Sequence, residues 1–328
     1  MSLDSTRRQL LLAAAGSVVA GSAFAQPAPG GKIVKIIVGF PPGQATDAVA
    51  RVLAEKLRAQ TGDTYIIENR PGQGGSIGMG ATAKSPSDGS VMMLTHMSAV
   101  ATNPHLYKSV PYDSLKDFEA VGLVADLPFV LAVNPSLPVK SVQDLVRHAK
   151  ANPGKLTNAS SGNGTVSHLA MENFKRRTGI EVVHVPYKGS GPGLTDVVSG
   201  QVSMALETAA AVRPLAESGK LRVLAVGSRV RLPGAFANVP TLDEQGFKDF
   251  NAVTWIMLIY PSGTPKEIVQ RTFTATNSVM RMPETEQQLL AIGALPRTSK
   301  SPDEAAAYIR TEFQQWGETV KRSGVQLD

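Results

Sequence analysis

Gly74-Gly75-Ser76-Ile77-Gly78 matches G-x-S-x-G, the spacing that exposes a serine nucleophile on a sharp strand-to-helix turn. Here the Pro-Gly-Gln-Gly loop of residues 71–74 separates Ser76 from the strand signal before it, so an exported hydrolase using Ser76 stands only as an alternative. Gly78-Met79-Gly80-Ala81-Thr82-Ala83 has the outline of a dinucleotide fingerprint. It falls inside a helical stretch, however, and no acid follows about 20 residues on at the end of a next strand. The five histidines are His96, His105, His148, His168 and His184. None forms H-E-x-x-H or a close pair with an acid, so neither a metal nor a cofactor is expected; His168 stands out for opening a helix beside a glycine-rich loop. With no cysteine, thiol nucleophiles, disulfides and zinc ribbons are excluded together. Lys175-Arg176-Arg177 is the tightest basic cluster, and it lacks interleaved aromatics. The net charge of +6 is mild, and no continuous basic stripe offers a nucleic acid its phosphate contacts.

Two loops carry a different chemistry. Gly39-Phe40-Pro41-Pro42-Gly43-Gln44-Ala45-Thr46-Asp47 and Ser160-Ser161-Gly162-Asn163-Gly164-Thr165-Val166-Ser167-His168 each follow a strand signal and open a helix signal. Glycines let a backbone approach a ligand closely, and the free N–H groups of a first helical turn attract an anion. The hydroxyls of Ser160, Ser161 and Thr165 add neutral donors. Such a set can hold a carboxylate without a full counter-charge, each charge-assisted hydrogen bond contributing about 1.5–3 kcal/mol. The same loops also read as ordinary capped helix starts whose glycines serve turn geometry. Asp47 reads as a first-turn acid facing the helix dipole rather than as a ligand contact.

The elements that must position these loops follow an α/β rhythm. Strands are predicted at residues 33–40, 65–68, 91–95, 129–134, 156–159, 182–185, 202–206, 221–227 and 253–260, with helices between most of them. Further helices are predicted near 266–280, 284–292 and 302–324. The rhythm implies parallel strands with helices on both faces. A chain of 328 residues, 42% hydrophobic and 18% charged, excludes disorder and suggests two domains. Crossings between lobes are expected near residues 124–125 and 251–252. Before this lies a charged start, Thr6-Arg7-Arg8-Gln9-Leu10-Leu11, an apolar run to about Ala20, and Ala23-Phe24-Ala25 ahead of Gln26. That is the pattern of an export signal cleaved after Ala25, its arginine pair pointing to the twin-arginine route. The apolar run is shorter than the roughly 20 residues of a membrane span.

Taken in order, the motifs resemble the extracytoplasmic substrate-binding receptors of tripartite tricarboxylate transporters, the Bug family. The matching stretches include Phe40-Pro41-Pro42-Gly43 with Thr46-Asp47, Asn69-Arg70-Pro71-Gly72, and Asn103-Pro104-His105-Leu106-Tyr107. Pro111-Tyr112-Asp113, Val133-Asn134-Pro135-Ser136, the 159–165 loop with His168-Leu169, and His184-Val185-Pro186-Tyr187-Lys188-Gly189 extend it. The resemblance implies a two-lobed, hinged periplasmic-binding-protein fold of Venus-flytrap type (type II-like). With the export signal and the crossings read above, the chain divides into a signal peptide at 1–25, lobe 1 at 26–124 plus 252–328, and lobe 2 at 125–251. The resemblance implies a periplasmic receptor without catalytic activity; a monomer is expected. Such a receptor delivers a small organic acid (a di- or tricarboxylate, an acidic amino acid or an aromatic carboxylate) to a two-subunit membrane permease. A receptor for a membrane sensor kinase would use the same binding chemistry.

Carried onto this chain, the resemblance implies Phe40, Gly43, Gln44 and Thr46 as ligand contacts from lobe 1, with Thr95, Met97, Ser98 and Ala99 beside them. Lobe 2 would add Ser160, Gly162, Thr165, His168, Tyr187 and Lys188, with Glu207 and Thr208 reading the ligand's far end. Gln44 stands where such receptors usually have a second glycine, and Met97 makes its side of the pocket less polar. Leu206-Glu207-Thr208-Ala209-Ala210-Ala211 departs from their usual Phe-Asp-Asn-Leu-Pro-Ser. An ionised Glu207 facing the ligand would repel a second carboxylate and favour an amine or hydroxyl; paired with Arg213 or Lys188 it would be structural.

Overall fold

The computed structural model describes residues 31–323, so the predicted export signal lies outside the described residues. β1 (Ile33–Val38) leads through a Pro-Gly turn into α1 (Ala45–Thr61). α1 stops at Gly62, whose left-handed conformation lets its N–H close on Arg58 O. β2 (Thr64–Asn69) and β3 (Val91–His96) pair with β1 in parallel on either side. α2 (Ser76–Ala83) connects them. Alternate β1 residues face opposite ways. Val34, Ile36 and Val38 join Val49, Leu53 and Leu57 of α1 in one apolar cluster, while Ile37 packs with Met79 and Met93 in another. Leu53 and Leu57 are almost wholly buried, each contributing about 1.5–3 kcal/mol through removal from water.

After β3 the chain makes a π-helical turn at Ser98–Thr102, a short α3 (Asn103–Leu106), and then β4 (Phe118–Val133). α4 (Val142–Ala151) is capped by Ser141, whose Oγ accepts from Asp144 N. β5 (Leu156–Ser160), α5 (Val166–Thr178), β6 (Val182–Pro186), α6 (Ser190–Ser199), β7 (Met204–Thr208), α7 (Ala209–Glu217) and β8 (Arg222–Val226) follow. β9 (Val253–Pro261), α8 (Lys266–Met280), α9 (Pro283–Ala291), the short β10 (Leu295–Pro296) and α10 (Pro302–Ser323) complete the described chain.

The sheet runs β2-β1-β3-β9-β4-β7-β5-β6, with β8 and β10 also pairing β4. The expected parallel pairs are present among β1, β2 and β3 and among β5, β6 and β7. The sheet as a whole is mixed, because β9 runs antiparallel to β3 and β4, and β4 antiparallel to β7 and β8. β4 is also far longer than the strand predicted at 129–134. Its first half carries Glu119, Gly122, Asp126 and Pro128, which dilute a strand signal. Pairing with β9 holds that half in place, with register shifts that absorb Gly122. β4 faces β9 from Phe118 to Pro128, and β7 from Phe129 onward.

α10 is fastened back onto this central strand pair. Trp255 Nε1 donates to Glu312 Oε2 at 2.7 Å, and Arg297 Nη1 donates both to Tyr308 OH of the helix at 3.3 Å and to Asp126 Oδ1 of β4 at 3.0 Å. Among the described residues no helix is long and apolar enough to cross a membrane.

Candidate functional site

Strand ends and helix starts converge on one small cavity. Its wall is built by Phe40, Gln44, Ala45, Thr46, His96, Ser98, Leu127, Phe129, Ser161, Thr165, Val166, Ser190, Glu207, Thr208 and Thr254. Its volume is about 40 Å³, room for about three water molecules. Four helices present their N-termini there: α1 through Ala45 and Thr46, α5 through Thr165 and Val166, α6 through Ser190, and α7 through Thr208. Each end carries roughly half a positive charge. Among the described residues no lysine or arginine lines the cavity, so these ends and the hydroxyls supply its positive field.

The β1–α1 loop is held by Asp47, the third residue of α1. Its carboxylate accepts from Gly43 N at 2.9 Å, from Arg51 Nε and Nη2 at 2.8 and 3.0 Å, and from Asn69 Nδ2 at 2.9 Å. Burial alone would push this carboxyl up; the hydrogen bonds from Arg51, Gly43 and Asn69 outweigh it and hold it below the usual range. Asn69 Nδ2 also donates to Phe40 O, so the tip of β2 fixes both ends of the loop. Asp47 therefore positions Phe40 and Gln44 without itself lining the cavity.

His96 forms the floor. Its ring lies against Phe40 with centroids 4.5 Å apart. Burial without a counter-charge drops its pKa to about 3, so the imidazole is neutral at physiological pH. His96 Nε2 and Thr254 Oγ1 are both buried without a protein hydrogen-bond partner. Unpartnered buried polar atoms are expensive, and the imidazole nitrogen lies against Gly75, beside the cavity floor.

Glu207 closes the far side and is 2% exposed. Its Oε1 accepts from Ser161 Oγ at 2.5 Å and Ser167 Oγ at 2.8 Å; its Oε2 accepts from Thr208 N at 3.4 Å, and the Ser161 backbone N–H also bonds to the carboxyl group. Neither structural pairing weighed from sequence is made. Arg213 binds Glu217 one turn along α7, and Lys188 is exposed on the β6–α6 loop. Burial pushes the Glu207 carboxyl up, against the opposing effect of the serine hydroxyls.

Of the residues singled out from sequence, Phe40, Gln44, Thr46, Ser98, Thr165, Glu207 and Thr208 line this cavity. The others stand elsewhere. Gly43 serves the turn, and Thr95 donates to Met79 Sδ. Met97 and Ala99 belong to the core. Ser160 Oγ lies 2.6 Å from His184 Nε2, and Gly162 O accepts from Thr165 Oγ1. His168 stacks on His184 at 4.1 Å and accepts from Gly164 N, so it shapes the glycine-rich loop. Tyr187 directs its hydroxyl to Asp196 at 2.6 Å. Sequence reasoning did not single out Leu127, Phe129 and Thr254, because β4 and β9 deliver them by long-range pairing with no local signal. Ser161 and Ser190 carried a signal, each standing in a Gly-Ser stretch that opens a helix.

Gln44 narrows the opening: a Cβ at Gly189 would collide with its Nε2. Gly189 has φ +115°, a conformation glycine alone adopts readily, so the β6–α6 loop can lie directly on Gln44.

Ser76 lies outside the cavity wall. Its hydroxyl is fully buried between Tyr112 OH at 3.0 Å and Asn103 Nδ2 at 2.9 Å, and neither is a general base. Ser76→Ala is expected to lower stability by about 1 kcal/mol, because Tyr112 keeps Ala99 O and Asn103 keeps Gln73 O and Gly74 O as partners. Ligand affinity should not move. Ester turnover by purified wild type that vanishes in this variant would restore the nucleophile.

Residues 49–325 match the model of the tripartite tricarboxylate transporter family receptor. The chain belongs to that family. It is 37% identical over 319 residues to protein BugT of Bordetella pertussis, covering 97% of this chain and 96% of that one. Among solved structures, R. palustris Rpa4515 with adipate superposes with a TM-score of 0.86 at 34% identity, covering 92% of this chain and 99% of that one. MatC from Rhodopseudomonas palustris with bound malate gives 0.81 at 26% identity, covering 88% and 99%. The resemblance read from the motifs and the periplasmic-binding-protein fold both hold. Receptors of this family are periplasmic and bind solutes; they are not enzymes.

Proposed function

We propose that this receptor captures a small organic carboxylate in the cavity described above and presents it, as a monomer, to a two-subunit membrane permease. The observation that carries the reading is the meeting of four helix N-termini in a cavity that, among the described residues, no lysine or arginine lines. Backbone donors and hydroxyls there suit an anion whose charge is spread over two oxygens. The adipate and malate of the two structural neighbours support the same ligand class. Export through residues 1–25 by the twin-arginine route is part of this reading.

The cavity sits where two lobes, 26–124 plus 252–328 and 125–251, would close on each other. The change of β4 partner between Pro128 and Phe129, opposite the start of β9 at Val253, supports hinges a few residues from those boundaries. Across the gap Thr102 Oγ1 donates to Gly164 O at 3.1 Å and Tyr107 OH to Asn163 O at 3.4 Å. About 40 Å³ accommodates a carboxylate group more readily than a whole dicarboxylic acid. Access therefore needs the lobes to part or Gln44 to swing, and closure on the ligand would be the signal a permease reads.

A thermal-shift screen of adipate, malate, glutamate and benzoate tests the proposal. A ligand at a hundred times its Kd should add about 2.7 kcal/mol of apparent stability. If ligand-free protein responds to none of these and to no wider panel of acids, the reading fails.

A further inference from the structure

We propose that Glu207 stands in the cavity as a neutral carboxylic acid that donates its Oε2 proton to a carboxylate of the bound ligand. The inference rests on the carboxylate reading above and assigns to this receptor a proton-linked specificity residue.

The geometry has the form of an acid rather than an anion. Oε1 accepts from both Ser161 and Ser167, as the carbonyl oxygen of a carboxylic acid would. Oε2 takes the Thr208 N–H at a long 3.4 Å, the Ser161 backbone N–H also reaches the carboxyl group, and the residue lines the cavity, into which a proton on Oε2 can point. Among the described residues, no positive side chain pairs with Glu207 or lines its cavity. The titratable and charged groups on the elements around it are few. His96, across the cavity, is neutral. His168, on α5, is pushed down by burial, and His184 behind it to about 4. Glu172 and Lys175, further along α5, pair with each other. Arg213 on α7 is held by Glu217. On β4 the residue opposite is Val130, and Lys188 is exposed to solvent.

Charge arithmetic then decides between the two forms. Four helix ends supply roughly half a charge each, about enough for one dicarboxylate. An ionised Glu207 beside such a ligand would be an unneutralised, almost fully buried charge, in surroundings where like charges repel strongly. A neutral Glu207 removes that repulsion and adds a hydrogen bond. Burial raising its pKa is in the same direction.

Linkage fixes the pH dependence. If the ligand binds only the protonated form, affinity is full at low pH and falls once Glu207 ionises, by about tenfold per pH unit. His96 and His184, pushed down to about 3 and about 4, stay neutral between pH 6 and 9 and add no slope there, and burial pushes His168 down as well.

The experiment measures the Kd of adipate and of malate by calorimetry from pH 6 to pH 9, for wild type and Glu207→Gln, together with infrared spectra. Wild type should weaken with rising pH, while the Gln variant, which keeps a carbonyl oxygen for the serines and gains a permanent donor, should give a flat profile. Wild type at pH 7 should also show the C=O stretch of a protonated acid that is missing from Glu207→Gln. Parallel pH profiles in the two proteins, or absence of that band, overturn the proposal. Tighter binding of glutamate than of adipate, abolished in Glu207→Gln, overturns it in favour of an ionised Glu207 reading an ammonium group. If the variant does not fold, the band in wild type, shifting on 13C-labelling of glutamate, decides by its presence or absence. If no acid binds at all, the receptor reading falls, while the band still tests Glu207 on its own.

Discussion

Replacing Asp47 by alanine should cost about 3 kcal/mol of stability and at least tenfold in ligand affinity, although the side chain does not line the cavity. The stability loss follows from the partners left behind. Gly43 N–H loses its acceptor, Asn69 Nδ2 keeps only Phe40 O, and the Arg51 guanidinium returns to water at little cost because that side chain is 55% exposed. Two charge-assisted hydrogen bonds to a buried carboxylate, from Gly43 N and Asn69 Nδ2, at about 1.5 kcal/mol each give the total. The affinity loss follows from the loop. With Asp47 gone, one fewer contact fixes Phe40 and Gln44 against the start of α1, and a site held loosely must be ordered at the expense of binding. Asp47→Asn should fall between, keeping one acceptor oxygen and losing the charge. Urea unfolding and calorimetry check both numbers. An alanine variant within 0.5 kcal/mol of wild type would show that the loop holds itself.

Asp47 also shows what the sequence made legible. Its place in the first turn of α1 announced a helix start, and the Pro-Gly turn before it announced the loop. These are local signals with short physical causes, a fixed proline φ and a glycine turn. The partner on β2, Asn69, is 22 residues away and carries no such sign. The same division runs through the site. Gln44 and Thr208 are implied by the family resemblance, whereas Thr165 could be placed because it adjoins a glycine-rich helix opening. Phe129 and Thr254 could not, because they approach each other only through the β4–β9 pairing, more than a hundred positions apart in sequence. The first half of β4 was hidden by its acids, glycine and proline, residues that a central strand tolerates only when long-range pairing and register shifts compensate. Tyr187 illustrates the opposite case. Its neighbours suggested a ligand loop, but Asp196, nine residues on along α6, captures its hydroxyl.

Gly75→Ala should be at least as damaging as the loss of Asp47, by about 3–4 kcal/mol, and for a steric reason. Gly75 has φ +91°, and an L-residue held there costs about 1–2 kcal/mol before any contact is counted. The added Cβ would stand 2.5 Å from His96 Nε2 and 3.3 Å from Ala99 Cβ. The imidazole cannot simply yield, because Phe40 backs it from the loop, and Ala99 belongs to the buried π turn. Displacing the ring shifts the floor of the cavity, so ligand affinity should fall with stability. The arrangement makes a coupled prediction that strain alone does not. In Gly75→Ala with His96→Ala the clash is relieved and only the strain and the lost ring remain. The double variant should therefore be more stable than the sum of the two single losses implies, by more than 1 kcal/mol. Strict additivity in urea unfolding would place the whole cost of Gly75→Ala in the backbone, and His96 would then be no part of what requires glycine at that turn.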